Sequence, residues 1–394
     1  MTKPTVFLQA LLALLAAATA PAGEDRATHR PNPRLAALPG ATWVKVAPQV
    51  PAPMGILAYS GAVFNPDANC LMIFGGGHGD YWGNEVWKLD MSALKWTRMY
   101  EPSKFGKLNN DKGCIVGEDR PYTRHSYDNM AYVPKTREML IWGGFGPTCY
   151  PRKFGGNLAD ETGPRKGGTS PMPIDVWTYS LEKNKWKPRF SLAYNRENAR
   201  KAPSGPCGGT AWDSKRELVW AVKGAGAIWS FDVKTDKWTR NAVTLPGGVS
   251  RKERSAQGSL IYLPGRDELM SASGWCFKLG PKISAEKLPH VGERKGEKPT
   301  GGSICLLSDR GVPFGVTVDL RTRWFDFAAK EWRDAPATIQ GGRDLMLDRW
   351  KRNGYIKGIY GRLRWAPADG VVIMAVHGGT WVYRPPKDLG RATK

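Results

Sequence analysis

Three short strings recur along the chain in a fixed order, and that order leaves few folds open. An apolar run ends in glycines, a strand with an aromatic follows, and a turn leads to Lys-Trp or Glu-Trp. The clearest copy reads LMIFGGG from Leu71, NEVWKLD from Asn84 and ALKW ending at Trp96. A second reads EMLIWGG from Glu138, DVWTYS from Asp175 and KNKW ending at Trp186. A third, ELVWAVKGAG from Glu217, continues into AIWSFDVKTDKW at Trp238. A period of about 50 residues marks a propeller or a solenoid, in which no unit buries its apolar faces alone and each stacks on its neighbours.

Weaker copies follow in phase. SLIYLPGRDELMSASG from Ser259 leads to WCFKLG, lacks the closing Trp, and places Leu288 in its fourth strand. SICLLSDRGVPFGVTVDL from Ser303 leads to RWFDFAAKEW ending at Trp332. The last copy, LRWAPADGVVIMAVHGG from Leu363 and then TWVYRPP, stops after three strands. These strings resemble the Kelch repeat, whose unit is one four-stranded propeller blade. The resemblance implies an all-β, Kelch-type β-propeller of the galactose-oxidase-like superfamily over residues 41–386. It is strong in the first three copies and loose in the fourth and fifth. Six blades are counted, and the insertions between Trp96 and Trp186 leave room for a seventh. The strand missing from the last blade has a candidate at 41–46, Ala41-Thr42-Trp43-Val44-Lys45-Val46, which would close the ring and remove an open sheet edge.

Residues 1–22 read as a secretory signal: Lys3, an apolar stretch from Val6 to Ala17, and the small-residue site Ala20-Pro21-Ala22. Residues 23–40 are expected to be a linker and 387–394 a basic tail. The apolar stretch is too short to span a bilayer and no later one is longer, so no transmembrane segment is expected. The protein is expected in the periplasm or outside the cell, as a monomer.

Lys and Arg total 58 against 36 acids, a formal charge of +22. Such a charge attracts polyanions. The basic residues are scattered over the repeats with no nucleic-acid-reading motif, so nucleic acid is not the expected partner. An acidic glycan, an anionic envelope polymer or a protein partner fits an exported chain better. Six cysteines allow fifteen full pairings. Cys114 and Cys149, in long insertions, are the candidate disulfide; Cys70, Cys207 and Cys305 fall in strand patterns suited to buried thiols.

Strand order assigns each loop to a side. Connections after first and third strands are short and rich in turn formers, such as NPDAN, PKTRE and KTD. The long segments (99–122, 145–173, 187–206, 239–254 and 333–358) all follow second or fourth strands. One face is therefore elaborated, and binding is expected there.

Of five histidines, His78, His125, His290 and His377 map to that face. His78, His125 and His377 belong to consecutive blades once the ring closes, which makes them a candidate site and the place where a divalent metal would sit. Tyr81, Trp82, Tyr127 and Trp275 lie near the same face, where aromatic rings suit sugars. Arg124, Arg254 and Lys223 also lie there, and arginine can hold a carboxylate through two hydrogen bonds. An Arg-His pair at the start of a Kelch-like blade has a second reading, hydrogen bonding between blades. The repeated Trp87, Trp177, Trp229, Trp381, Trp96, Trp186, Trp238 and Trp332 read as blade packing.

Two functions stay open. One is a non-catalytic binding propeller. The other is a polysaccharide lyase, in which Arg124 neutralises a uronate, His78 or His125 withdraws the adjacent proton, and Tyr81 or Tyr127 protonates the leaving oxygen. That scheme is similar in architecture and residue type to the propeller-type ulvan lyases. A copper-radical oxidase is disfavoured, because no Tyr-His dipeptide occurs in the chain. Sialidase boxes are absent as well.

Overall fold

The computed structural model describes residues 31–51, 57, 59–75, 83–102, 119–121, 124–144, 174–192, 197–203, 209–249, 258–292, 302–342 and 359–390. Strand β1 (Thr42–Ala47) comes first, and four-stranded antiparallel units follow. Unit 1 holds β2 (Gly61–Asn65), β3 (Cys70–Phe74), β4 (Val86–Asp90) and β5 (Lys95–Arg98). Unit 2 holds β6 (Met130–Val133), β7 (Glu138–Trp142), β8 (Ile174–Ser180) and β9 (Lys185–Leu192). Unit 3 holds β10 (Gly209–Asp213), β11 (Leu218–Gly224), β12 (Ala227–Asp232) and β13 (Lys237–Thr244). Unit 4 holds β14 (Leu260–Leu263), β15 (Glu268–Ser271), β16 (Trp275–Lys278) and β17 (Ile283–Lys287). Unit 5 holds β18 (Ser303–Leu307), β19 (Val312–Val316), β20 (Thr322–Asp326) and β21 (Glu331–Asp334), with the short β22 (Thr338–Ile339) after it. Unit 6 holds β23 (Leu363–Ala366), β24 (Val371–Val376) and β25 (Gly379–Tyr383).

The sixth unit takes its fourth strand from the other end of the chain. β1 pairs antiparallel with β25, in the register Trp43 to Tyr383, Val44 to Val382 and Lys45 to Trp381. β22 then pairs parallel with β1, so the outer rim between units 5 and 6 is stitched as well. A second parallel stitch joins β13 to β17, pairing Val243 with Ile283 and Thr244 with Ser284. First strands touch first strands in the order β2, β6, β10, β14, β18, β23 and back to β2. They line a common axis, and the described units close around it as a propeller.

Alternation along the strands explains the closure. Successive side chains point to opposite faces of a sheet, and here both faces are apolar. In unit 1, Leu71 and Ile73 pack with Val371, Ile373 and Val382 of unit 6. Met72 and Phe74, one residue out of step, pack with Met130, Met139, Ile141 and Tyr179 of unit 2. The same exchange joins Leu140 to Val219, Trp220 to Leu269, Met270 to Ile304, and Phe314 to Met374. The tryptophans of the repeat serve these seams. Trp142 Nε1 donates to Thr210 Oγ1 at 2.8 Å, and Trp96 Nε1 to Thr380 Oγ1 at 3.0 Å.

The hairpins after first and third strands are tight, as their composition predicts. Asp90, Asp213, Asp232 and Asp326 each accept two backbone N–H groups from the turn that follows, the side-chain-nucleated turn that Asp favours. A left-handed residue then re-enters the next strand, as at Asn69, Arg137, Glu217, Asp267 and Lys330.

The two flanking segments differ from expectation. The segment read as a linker carries helix α1 (Pro33–Ala36). It docks on the seam of units 1 and 6: Leu35 is buried, and Asn32 Nδ2 donates to Met91 O at 2.7 Å. The tail also begins docked, with Leu389 packed against the core shared by units 5 and 6. β17 ends at Lys287, one residue short of Leu288, which is buried beside it. No helix among the described residues is long and apolar enough to cross a membrane. Residues 1–22, Cys114 and Cys149 lie outside the described residues; Cys70, Cys276 and Cys305 are buried free thiols.

Candidate functional site

The segments leading into first strands converge where the axis opens on the elaborated face. The segment entering unit 2 runs Arg124-His125-Ser126-Tyr127-Asp128 and is almost wholly buried. Arg124 Nη1 and Nη2 donate to the two Asp175 carboxylate oxygens at 2.6 and 2.9 Å, and Nη1 also donates to Gly143 O at 2.6 Å. The guanidinium, with no exposed surface, therefore serves an internal carboxylate. These bonds stay within unit 2, so the bonding between blades offered as the second reading of the Arg-His pair is not made by Arg124 here. A ligand uronate would have to compete with Asp175 for it. Ser126 Oγ donates to Phe74 O at 2.8 Å and accepts from Gly61 N at 3.0 Å, tying unit 2 to unit 1.

Above this frame sits a cluster of rings. His125 stacks on Tyr59 with centroids 4.7 Å apart and meets Tyr127 edge-on at 5.8 Å. Tyr59, Tyr127 and Tyr360 contact one another at 5.4, 5.8 and 5.1 Å. Tyr59 and Tyr360 are half-buried over the more deeply set His125 and Tyr127. All three tyrosines hold left-handed backbone, with φ of 68°, 46° and 47°. For a bulky residue such φ values are uncommon and cost about 1–3 kcal/mol each, and such strain gathers at functional sites. Tyr127 N–H donates to Tyr59 O at 2.8 Å, so two of these turns are locked together.

Below the rings the axis is filled. Asp128 accepts from Leu260 N at 3.0 Å in unit 4, from the Thr210 amide in unit 3, and from Arg364 Nη2 at 2.5 Å in unit 6. Burial pushes its carboxyl up to about 6, against the opposing pull of Arg364. The carboxylate lies so close to Gly361 that a Cβ there would sit 1.8 Å from Oδ1, so position 361 requires glycine. Ser259 Oγ bonds Ser303 Oγ at 2.6 Å and donates to Tyr360 O at 2.9 Å, closing the side of units 4 and 5. Arg362, fully buried, donates to Ala375 O at 2.9 Å, to Ser60 O at 2.7 Å and to Leu57 O. It thereby clamps the backbone on both sides of Tyr59.

The residues expected at the site are distributed unevenly. His125 and Tyr127 come together in the ring cluster. His377 lies in the tight turn between β24 and β25 on the same face, half-buried. Trp275 has no exposed surface and packs between units 3 and 4, under Lys287 Nζ at 5.0 Å from its ring. It is a packing residue there and offers no platform for a sugar, because its strand turns it into the seam. His290 is buried, its Nδ1 accepting from Gly292 N at 2.8 Å. His78, Tyr81, Trp82 and Arg254 lie outside the described residues, as does the Lys223 side chain. Among the described residues no group of three His, Cys, Asp or Glu side chains is arranged to hold a metal ion. A metal at the three histidines would thus depend on His78.

Tyr59 and Tyr360 were not singled out by the sequence reading, yet the sequence carries their signal. Each tyrosine of the cluster stands seven residues before the proline of its first hairpin: Tyr59 and Pro66, Tyr127 and Pro134, Tyr360 and Pro367. In the other three units that position holds Cys207, Gln257 and Gly301. The aromatic half of the mouth therefore belongs to units 6, 1 and 2.

No family model matches the chain. The host cell factor homolog hcf-1 of Caenorhabditis elegans is 20% identical over 336 residues, which cover 78% of this chain and 38% of that protein. The chain thus spans well under half the length of this relative. A protein of unknown function from Bacteroides thetaiotaomicron is similar in structure at a TM-score of 0.48 and 14% identity, covering 86% of this chain and 74% of that one. With its ring of antiparallel sheets the chain is a β-propeller, and its repeat strings resemble the Kelch repeat.

Proposed function

We propose that this propeller is an exported binding module that takes its ligand on the tyrosine mouth, and that the ligand is an acidic glycan or anionic envelope polymer. One observation carries the reading: three tyrosines in the same repeat position of consecutive units hold strained backbone to meet over His125. Tyrosine offers a flat apolar face and a polar tip, which suits a sugar ring. The formal charge of +22 favours a polyanion. The filled axis below the rings supports a ligand that rests on the mouth and does not thread the channel.

The lyase reading keeps one favourable observation, the contact of His125 with Tyr59 and Tyr127. In that reaction a base removes the proton beside the uronate carboxylate. The electron pair forms a C=C bond, the neighbouring C–O bond breaks, and an acid protonates the leaving oxygen. Engagement of Arg124 with Asp175 weighs against it. One experiment separates the readings: passing the mature protein over immobilised polygalacturonate, alginate and chondroitin sulfate, with absorbance of the unsaturated uronate recorded in parallel. Retention on one polymer, lost in salt and without absorbance gain, is the expected result. An absorbance rise would make the protein a lyase, and passage through every column would remove the acidic-glycan reading.

A further inference from the structure

Units 1 and 2 carry the same acidic element at the start of the third strand, and only one of the two copies is complete. In unit 2, Trp177 Nε1 donates to Asp175 Oδ2 at 2.9 Å, and Arg124 grips both carboxylate oxygens. In unit 1, Trp87 Nε1 donates to Glu85 Oε1 at 2.9 Å, the same bond two residues on. The strands agree in register as well, since Trp87 pairs with Ile73 and Trp177 with Ile141. The cation differs. Arg124 stands three residues before Tyr127, whereas three before Tyr59 the sequence has Ile56. Glu85 is 1% exposed, and its Oε2 has no hydrogen-bond partner among the described residues.

A buried acceptor without a donor is costly, more so when it carries charge. Its neighbours do not relieve it. Arg98 lies 5.8 Å from the Trp87 ring and is ion-paired to Glu101. Tyr100 donates to Asn84 O at 3.0 Å and accepts from Trp186. Burial holds the Glu85 carboxyl above the usual carboxylate range; its own backbone N–H, the Trp87 indole and Arg98 oppose that shift, and Glu101 reinforces it.

We propose that Glu85 Oε2 anchors a guanidinium-binding subsite, which receives from outside the chain the head group that Arg124 supplies in unit 2. Guanidinium is the indicated cation because its planar fork fits a carboxylate whose other oxygen already accepts an indole N–H, as Asp175 demonstrates. The subsite is closed in this structure, so binding opens it and exchange is expected to be slow. The inference is independent of the tyrosine mouth and survives its failure.

The indole N–H groups of Trp87 and Trp177 are built-in reporters, resolvable by 15N NMR and assigned with Trp87→Phe and Trp177→Phe. The probes are methylguanidinium and a blocked tetra-arginine peptide at equal guanidinium concentration. Saturable movement of the Trp87 signal, with Trp177 unmoved and at least tenfold weakening in the isosteric Glu85→Gln variant, is expected. Response to both probes indicates a small cation; response to the peptide alone indicates the arginine of a partner chain. No movement with either probe, or equal movement in Glu85→Gln, overturns the proposal. Should Glu85→Gln fail to fold, Arg124→Ala supplies a second measurement. If its vacated slot binds methylguanidinium at Trp177 while Trp87 stays silent, unit 1 is not such a site.

Discussion

At the scale of single residues, burial decides which of the charged and aromatic side chains are free to act. Arg124 and Asp175 form a desolvated pair, so losing one partner strands the other charge. Asp175→Asn or Arg124→Met is expected to destabilise the protein by about 3–5 kcal/mol in urea unfolding, with the double variant Arg124→Met/Asp175→Leu recovering much of the loss. A cost below about 1 kcal/mol for both single variants would show that the pair contributes little to holding unit 2 together. The Arg-His string is legible as a site or as bonding between blades, and only the position of Asp175 shows that Arg124 is held inside its own unit. Trp275 reads as a site aromatic because it lies near the elaborated face, while its inward direction depends on strand register. Tyr59 and Tyr360 escaped because their spacing to proline becomes visible only when units 6, 1 and 2 are laid over one another.

At the scale of elements, the hairpins were the most legible part, since Asp and left-handed closing residues dictate them locally. The outer rim was not. The parallel stitches of β13 to β17 and β22 to β1 join strands from different units, and no local string encodes that meeting. Ion pairs reinforce the same seams. Asp267 of unit 4 accepts from Arg216 of unit 3 at 2.6 and 2.8 Å and from Lys215 at 2.6 Å. The Arg216 bonds hold its carboxyl well below the usual range. A folded-state value depressed below the unfolded one stabilises above about pH 4 and ceases to do so as pH falls. Asp267→Asn should therefore lower stability by about 1 kcal/mol at pH 7, a modest figure because solvent screens the pair. The gap to wild type should shrink progressively as pH falls from about 4 through the depressed folded-state value in thermal melts; a gap independent of pH would mean that packing, and not charge, is lost.

At the scale of the whole molecule, closure rests on β1. Trp43 is 1% exposed, packs its ring 5.2 Å from Tyr383, and donates Nε1–H to Thr322 Oγ1 at 2.8 Å. One side chain thus joins the N-terminal strand to units 6 and 5. Trp43→Ala is expected to cost about 3–5 kcal/mol, and deletion of 31–47 should expose the β25 edge and promote association. An unchanged melting temperature on Trp43→Ala would contradict this account of closure. The sequence shows the closing strand because an unfinished last repeat requires one. It does not show how the axis is filled, since Asp128, Thr210, Leu260 and Arg364 come from four units and meet only in the ring.

Binding by this propeller rests on the tyrosine mouth proposed above. The most direct test is the affinity of the double variant Tyr59→Ala/Tyr360→Ala for whichever acidic polysaccharide the columns retain, measured by isothermal titration beside wild type and a melting curve of each. At least tenfold weaker binding is expected from a variant that still melts as a folded propeller. Undiminished affinity in that folded variant would place the ligand elsewhere and contradict the proposal.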